Sequence, residues 1–463
     1  MNTINTINAL NEATVSQSLD ESVTPTCEPV WRVVGGSIAT GLVGALVLTL
    51  GVFAGASEYV ITASALLAFA CGWAMLAILS ARYTSQAQRW ARVPAGAMAV
   101  VAGVLFVTSP GDRALTAAGW AWPPAMLALT IWMIVQLRRD LHGRVRWLVY
   151  PILGALTLGS IGGAFETVSR VSDRHDLAAP GTLYDVGGHR LHLDCAGSGS
   201  PTVVLENGLG GLSVLWSRIT AEASRTTRVC SYDRAGQGWS DDVSAPQDGV
   251  AVVADLHSLL QRAGEAGPYV LVGHSAGGAY AMVYAAQYPN EVAGMVLLDS
   301  MSPYQFTALP DFASQYSMMR RGLAVLPSFA RMGLGRVMPS SASSDFPEPA
   351  ASQVRAFGAS PRQYRSMRDE QSVYPAVLRQ AQALVTLHDK PLVVVTAAGS
   401  QRDTKGWTAA QDQMAQLSTN SQHRIVDATH DGVVDDVHSF DKSVQAIDDV
   451  VQAIRTAAAV VAR

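Results

Sequence analysis

The first third of the chain contains five long stretches without a single Asp, Glu, Lys or Arg residue. These stretches are Val33–Ser57, Tyr59–Ala81, Val93–Ser109, Ala114–Gln136 and Trp147–Phe165. An α-helix needs about 20 mostly apolar residues to cross the hydrocarbon core of a bilayer, and roughly 17 still suffice. Val93–Ser109 is close to that lower limit, and the other four stretches exceed it. We therefore predict a transmembrane region of about five helices over residues 31–165, preceded by a polar, disordered tail at residues 1–30.

The composition of the whole chain agrees with a membrane protein. Of the 463 residues, 49% are hydrophobic and only 15% are charged, whereas about a quarter are charged in an average soluble protein. The net charge is -4 and no basic cluster with interleaved aromatic residues is present, so we expect no nucleic-acid partner. No charged residue interrupts the five stretches, which argues against an ion or proton pathway through them.

Basic residues are concentrated in two of the connections between the predicted spans. They are Arg82, Arg89 and Arg92 between the second and third spans, and Arg138, Arg139, Arg144 and Arg146 between the fourth and fifth. Loops rich in Lys and Arg stay on the cytoplasmic side of a membrane. With five spans, the domain after Phe165 is then extracytoplasmic, and the chain is a multi-pass protein of the cytoplasmic (inner) membrane. Loss of the short third span would reverse this prediction.

Beyond a charged linker at residues 166–181, the pattern changes to short β-rich segments that alternate with helical ones. The predicted strands are Leu183–Val186, Arg190–Asp194, Thr202–Leu205, Arg228–Tyr232, Tyr269–Val272, Met295–Leu298, Leu392–Thr396 and Arg424–Asp427. The first two are joined by Gly187-Gly188-His189, which favours a hairpin. Such alternation predicts an α/β domain over residues 182–463, with a mostly parallel sheet and an antiparallel opening.

A G-x-S-x-G pentapeptide, Gly273-His274-Ser275-Ala276-Gly277, lies between a predicted strand and a predicted helix. Strand, sharp turn and helix are the elements of a nucleophile elbow, which holds a serine at a strained and uncovered apex. Glycines on either side let the turn close without Cβ clashes. Ser275 is therefore the candidate nucleophile.

Several motifs of this domain, taken in their order along the chain, resemble the α/β-hydrolase fold family. They are the opening hairpin, Leu205–Gly210 after one strand, Tyr232–Ser240 after the next, the pentapeptide and a late histidine. The resemblance implies an α/β-hydrolase fold, with a mostly parallel eight-stranded sheet and a helical cap inserted at about residues 301–387. It covers residues 182–463 and leaves out the all-α transmembrane region.

In this family the catalytic serine, acid and histidine follow one another along the chain, and the resemblance implies that His430 is the base for Ser275. The acid has two alternatives. Asp403, a few residues after the strand Leu392–Thr396, is at the family's commonest location and is preferred. Asp299, directly after the strand Met295–Leu298, is the alternative that some family members use.

The oxyanion of an acyl-transfer intermediate needs preorganised N–H donors. The resemblance implies the backbone amides of Ala276 and Leu209, although most relatives have His-Gly where this chain has Asn207-Gly208. The Gly-rich segment 233–238 lacks the Lys-Ser/Thr ending of a phosphate-binding loop. The resemblance makes that segment a structural turn.

Four cysteines are present, and none forms a C-x-x-C pair that would suggest a zinc or redox site. In this fold Cys195 and Cys230 lie near the ends of neighbouring strands. A disulfide between them is expected if the domain is extracytoplasmic, and two buried free thiols are the alternative.

Together these features predict a membrane-anchored serine hydrolase that cleaves a carboxylic ester of a small molecule or lipid, or an amide, through an acyl-enzyme on Ser275, with no metal and no organic cofactor. An aminopeptidase-like hydrolase is the enzymatic alternative, with an acidic pocket for the substrate amine in the cap. A non-catalytic membrane sensor with a hydrolase-like domain is the alternative of another class.

Overall fold

The computed structural model describes residues 29–337 and 346–460. Nearly all of the tail that the sequence predicts to be disordered, residues 1–28, lies outside the described residues. Within them, contacts divide the chain into two compact units. The first holds residues up to 47 together with 63–107 and 126–157, and the second holds residues 48–62, 108–125 and everything from 158 onward.

The N-terminal region is entirely helical. Its helices are α1 (Val30–Leu46, continued by π-helical turns at Val47–Val52), α2 (Glu58–Tyr83), α3 (Arg92–Thr108), α4 (Asp112–Ala118), α5 (Trp122–Asp140) and α6 (Tyr150–Asp176). The first unit has an apolar core of its own, in which Leu76, Met133 and Leu137 are fully buried.

Four helical stretches in the described chain are long and apolar enough to cross a membrane. They are Val30–Val52, Glu58–Tyr83, Arg89–Thr108 and Arg144–Asp173. A fifth span exists only if α4 and α5, which meet at an angle of 47°, are taken together. Pro123 and Pro124 lie in the first turn of α5, where their missing N–H groups leave no helical hydrogen bond unmade, so a helix can start there. The four helices support membrane association, while the predicted count of five depends on this bent pair.

Helix α6 continues to Asp176, through most of the segment that the sequence predicts as a linker. Glu166 and Arg170 lie one turn apart on it, with 3.7 Å between their charged groups, and such i,i+4 pairs favour a helix.

The second unit is built on an eight-stranded sheet in the order β1-β2-β4-β3-β5-β6-β7-β8. The strands are β1 (Thr182–Asp185), β2 (Arg190–Ala196), β3 (Val203–Glu206), β4 (Val229–Asp233), β5 (Tyr269–His274), β6 (Val292–Leu298), β7 (Leu392–Ala397) and β8 (Ser421–Val426). Only the β1–β2 and β2–β4 pairs are antiparallel. The predicted fold class, with its antiparallel opening, is confirmed.

Helices cover both faces of the sheet. They are α7 (Ser217–Ala223), α8 (Gly249–Ala263), α9 (Ala276–Gln287), α15 (Ala398–Asp403), α16 (Trp407–Ala415), α17 (Gly432–Asp435) and α18 (Phe440–Thr456). Alternate residues of a strand point to opposite faces, so Leu271 packs among α8 and α9 while Val270 packs with Ile219 and Ile447 of α7 and α18. Because β3 and β5 to β8 are parallel, their carboxyl ends meet at one edge, where a site can be assembled from several loops.

Between β6 and β7 the chain forms a helical cap. Its helices are α10 (Gln305–Ala308), α11 (Phe312–Arg331), α12 (Leu334–Val337), α13 (Ala350–Gly358) and α14 (Pro361–Ala381).

The antiparallel pairing of β2 with β4 places Cys195 directly opposite Cys230. The two residues are joined by a disulfide, with their Cα atoms 4.0 Å apart. Strand register therefore brings together two cysteines that are 35 residues apart in sequence.

Candidate active site

Ser275 lies at a sharp turn between β5 and α9. Its backbone has φ 53° and ψ −123°, a conformation that is costly for a residue with a side chain. The flanking glycines are needed sterically, because a Cβ at Gly273 would overlap the backbone of Gly278, and a Cβ at Gly277 would overlap the carbonyl of Glu206. The local sequence thus forms the elbow that the pentapeptide predicts.

The Ser275 hydroxyl is 2.9 Å from Nε2 of His430. Nδ1 of the same ring is 2.6 Å from Oδ2 of Asp299. Nδ1 therefore donates to the carboxylate, which leaves Nε2 free to accept the serine proton. These three side chains form one hydrogen-bonded line, an arrangement that suits a nucleophile, a base and an orienting acid.

Asp299 is fully buried and held by several further donors. Its Oδ1 accepts hydrogen bonds from the Ala397 amide (3.0 Å) and the Trp407 indole (2.7 Å), and its Oδ2 accepts one from the Ser400 hydroxyl. Burial alone would raise the pKa of Asp299, but the hydrogen bond and charge of His430, with the bonds from Ser400 and Trp407, outweigh it and lower that pKa. The group stays a carboxylate, as an acid that orients an imidazole must.

His430 responds to the same pair in the opposite sense. Burial disfavours its imidazolium form, but the hydrogen bond and charge of Asp299 overcome this and raise the pKa of His430 above its ordinary value. The ring is thereby made a stronger base for the Ser275 proton.

The structure does not bring Asp403, the preferred candidate for the acid, to His430, because the ring contacts Asp299 instead. Asp403 is the last residue of α15, where its side chain is exposed, and within the described chain no hydrogen bond joins it to His430. The reason is the path of the chain after each strand. Asp299 turns immediately after β6 with φ 44°, a left-handed conformation that aspartate tolerates. After β7, by contrast, the chain enters a helix that carries Asp403 away.

His274, for which the sequence predicts no role, holds the backbone of His430 in place. Its Nε2 is 2.9 Å from the backbone carbonyl of His430, to which it donates. Burial, followed by the charge of His430, lowers the pKa of His274 to about 4, so this ring stays neutral beside the base. Its position next to the serine in the pentapeptide is the only sequence signal for this role.

His274, His430 and Asp431 bring potential metal-ligand atoms within 4.8 Å of one another. Both ring nitrogens of His430, however, already bond to Ser275 and Asp299. A metal ion here would have to break those hydrogen bonds, so the donor set fits acyl transfer better than metal binding.

Two backbone amides are available beside Ser275. Ala276 is the first residue of α9, and the first N–H groups of a helix lack intrahelical acceptors. The Leu209 amide donates to no protein acceptor in the described part of the chain. A Cβ added to Gly208 would lie 3.1 Å from the Ser275 Cβ, so this loop runs directly against the serine.

Arg234 fixes the orientation of that loop. Its guanidinium donates to the carbonyls of Asn207 (2.7 Å) and Gly208 (2.6 Å). In a trans peptide the C=O and N–H point in opposite directions, so the Gly208 carbonyl at Arg234 turns the Leu209 N–H away from the arginine. The predicted structural turn at residues 233–238 thus ties down the backbone through its arginine.

Asn207, the departure from the usual His-Gly, is a buried structural residue. Its side chain donates to the Tyr232 carbonyl (2.8 Å) and accepts from the Trp216 indole (2.7 Å). The substitution leaves the neighbouring amides in place, because the asparagine bonds to the core and not to the site.

The cap helix α14 supplies a further support through Glu370. Its carboxylate accepts from Arg234 (2.6 Å), from the Gly210 amide (3.1 Å) and from Gln237 (2.8 Å). Glu370 and Arg234 are both buried, so each charge compensates the other in a medium of low dielectric. The contact spans 136 residues of sequence, which is why no local pattern predicts it.

A cavity of about 540 Å³ opens over Ser275 and His430. Its cap side is mostly apolar and includes Met301, Phe312, Tyr316, Met319 and Tyr374. The predicted amide donor Leu209 and the exposed Asp403 lie on its core side. An apolar chamber with a few convergent polar groups is typical of a small-molecule site.

Comparisons with known proteins agree with the fold of this domain. A family model described as the α/β-hydrolase fold matches residues 201–437. An uncharacterised protein of Schizosaccharomyces pombe is 31% identical over 294 residues, or 55% of this chain and 53% of that protein. An uncharacterised protein of Bacillus subtilis is 28% identical over 167 residues, or 36% of this chain and 50% of that protein. The chain therefore spans about half the length of these curated relatives.

Solved structures are more distant. The enol-lactonase from Burkholderia xenovorans LB400 is 19% identical with a TM-score of 0.45, and the alignment covers 58% of this chain and 100% of that one. A similarity at this level carries no inference about the reaction.

Proposed function

The chain belongs to the α/β-hydrolase family, and from that premise we propose that it is a membrane-anchored serine hydrolase that cleaves carboxylic esters through an acyl-enzyme on Ser275. The observation that carries the proposal is the continuous hydrogen-bonded line from Ser275 through His430 to Asp299, beside two available backbone amides.

The proposed reaction has two steps, acylation of Ser275 and hydrolysis of the acyl-enzyme, and these groups act in both. As Ser275 Oγ attacks the acyl carbon, its proton passes to His430 Nε2, and the carbonyl oxygen becomes an oxyanion facing the amides of Leu209 and Ala276. The bond to the alcohol then breaks, and His430 returns the proton to the leaving oxygen. Water, activated by the same histidine, hydrolyses the acyl-enzyme and restores Ser275.

Three carboxylates of the cap are already paired with arginines, which favours an ester over a substrate with a free amine. An aminopeptidase pocket needs an unpaired carboxylate, but Glu348, Asp369 and Glu370 of the cap are paired with Arg355, Arg368 and Arg234. Asp345, a further acidic residue of the cap segment, lies outside the described residues. Asp403 and Asp431 remain as carboxylates on the core side of the cavity.

Purified full-length protein in detergent tests the reaction class with two substrates, p-nitrophenyl butyrate and leucine p-nitroanilide. We expect hydrolysis of the ester with a burst of one p-nitrophenol per active site, because acylation precedes a slower deacylation. Preferential cleavage of the anilide would contradict the ester assignment and favour the aminopeptidase. Turnover of neither substrate by a correctly folded protein would favour the non-catalytic alternative.

The pH profile of ester hydrolysis follows from the raised pKa of His430. Only the neutral ring accepts the serine proton, so kcat/KM is low at acidic pH and rises as the pH passes the pKa of this histidine. We expect the midpoint of that rise to lie above 6.5, the ordinary value for histidine. A midpoint at or below 6.5 in the wild type would contradict the stabilising effect of Asp299.

We also propose that the hydrolase domain is extracytoplasmic. The arginine-rich connections favour this side if the bent pair α4 and α5 is a span, and disulfides such as Cys195–Cys230 persist in oxidising compartments. In cells denatured without reductant, Cys195 and Cys230 should resist maleimide, and both should react after reduction. Reaction of both thiols before reduction would contradict the proposed side.

A further inference from the structure

Cap helix α11 takes part in two different environments. At its N-terminal half, Phe312, Tyr316 and Met319 line the cavity over Ser275. At its C-terminal half, the Ser328 hydroxyl is 2.8 Å from that of Thr62, which lies in the second turn of the apolar helix α2. The helix that forms a wall of the site therefore also reaches the end of a candidate span.

The chain just beyond α11 lies against the apolar part of helix α6. A Cβ on Gly162 would overlap the carbonyl of Met332, and a Cβ on Gly333 would overlap the backbone of Gly162, so the two segments are in direct backbone contact. Gly162 is inside the candidate span Arg144–Asp173, and its neighbours Ile161 and Phe165 are exposed. The cap backbone therefore contacts a candidate span, and the apolar side chains of that span beside the contact are exposed.

The same cap segment exposes large apolar side chains of its own. We call Ser328–Val337 the cap foot; within it, Phe329 is 46% exposed and Val337 is 74% exposed, and Met332 and Leu334 are also exposed. Ile161 and Phe165 flank Gly162 on α6, so exposed apolar side chains of both segments lie beside the contact of Gly162 with Met332. A patch of this kind is costly in water and marks a surface that another apolar phase covers.

Charged residues around the cap foot are paired. Arg331 bonds to Glu58 and, at 2.7 Å, to Asp112. Arg336 bonds to Glu166 at 2.7 Å, and a second contact of 2.7 Å joins it to Asp173. These are carboxylates at the ends of the apolar helices. Such pairing is what arginines and acids require where water is scarce.

We propose that the cap foot is immersed in the membrane interface, and that the site therefore takes amphiphilic esters dissolved in the bilayer. The bilayer is the occupant because the exposed apolar foot is in backbone contact with a candidate span, and because its arginines are paired with carboxylates of the protein itself. The assignment of amphiphilic esters as substrates rests on the proposed ester hydrolysis. The immersion of the cap foot does not.

Spin labels test the immersion directly in the full-length protein. Val337→Cys and Phe329→Cys are made in a Cys27→Ser, Cys71→Ser background, labelled, and reconstituted in vesicles of phosphatidylcholine and phosphatidylglycerol. Val385→Cys is the matched control, because this valine is 82% exposed on a loop that leads into β7. We expect the foot labels to collide more with oxygen than with a polar nickel complex, and the Val385 label to show the reverse. Equal accessibilities at Val337 and Val385 would overturn the proposal.

Kinetics test the substrate class with Val337→Asp and its control, Val385→Asp. We expect Val337→Asp to lower hydrolysis of 4-methylumbelliferyl oleate in vesicles by about tenfold or more, since a carboxylate is costly at that depth. Hydrolysis of 4-methylumbelliferyl acetate, which is dissolved in water, should be unchanged in Val337→Asp. Val385→Asp should affect the hydrolysis of neither ester. Equal effects on both esters, or none, would overturn the substrate class. If the wild type cleaves neither ester, the proposed function fails, while the spin labels still decide the immersion.

Discussion

Asp299→Asn is expected to lower kcat for ester hydrolysis by about 10⁴-fold, the effect of removing the acid from a Ser-His-Asp triad. Asparagine has nearly the same shape, but its amide does not stabilise the imidazolium that forms when Ser275 is deprotonated. It also removes the charge that raises the pKa of His430, so the acidic limb of the pH profile should move to lower pH. Steady-state kinetics with p-nitrophenyl butyrate over a range of pH measure both effects.

Asp403→Asn is the matched control for this experiment. The residue lies on the same cavity wall and receives the same chemical change, but it is exposed and makes no hydrogen bond to His430 in the described chain. We expect kcat within about threefold of the wild type, as for surface substitutions elsewhere. A large loss in Asp403→Asn, with little change in Asp299→Asn, would reverse the assignment of the acid.

The second large effect concerns the nucleophile and the base. Ser275→Ala and His430→Ala are each expected to lower kcat by about 10⁶-fold, and the double variant should lose no more than either single variant. The losses do not add, because the serine is inert without its base and the base has no proton to accept without the serine. Additive losses in the double variant would show that the two side chains act separately.

Much of the fold could be predicted because its signals are local. Strands such as Leu392–Ala397 are continuous apolar runs. The glycines around Ser275 predict a turn in which other residues would clash. The family motifs predict that Ser275, His430 and the amides of Leu209 and Ala276 lie in one region. The structure brings these groups together.

The acid could not be decided in this way, because both candidates follow a strand. What separates them is the backbone after the strand. Asp299 turns at once with a positive φ, whereas Asp403 ends a helix of six residues. The pairing of Glu370 with Arg234 and of Arg331 with Glu58 could not be predicted either, because the partners are far apart in sequence. Long-range charge pairing leaves no periodic signal.

In the proposed mechanism, Ser275 is a nucleophile activated in the folded, membrane-bound protein. Intact-protein mass spectrometry after treatment with a fluorophosphonate measures this directly. We expect the wild type to gain one phosphonyl group at Ser275, Ser275→Ala to gain none, and Asp299→Asn to react far more slowly than Asp403→Asn. An unmodified wild type, or equal modification of Ser275→Ala, would contradict the role of Ser275 as the nucleophile.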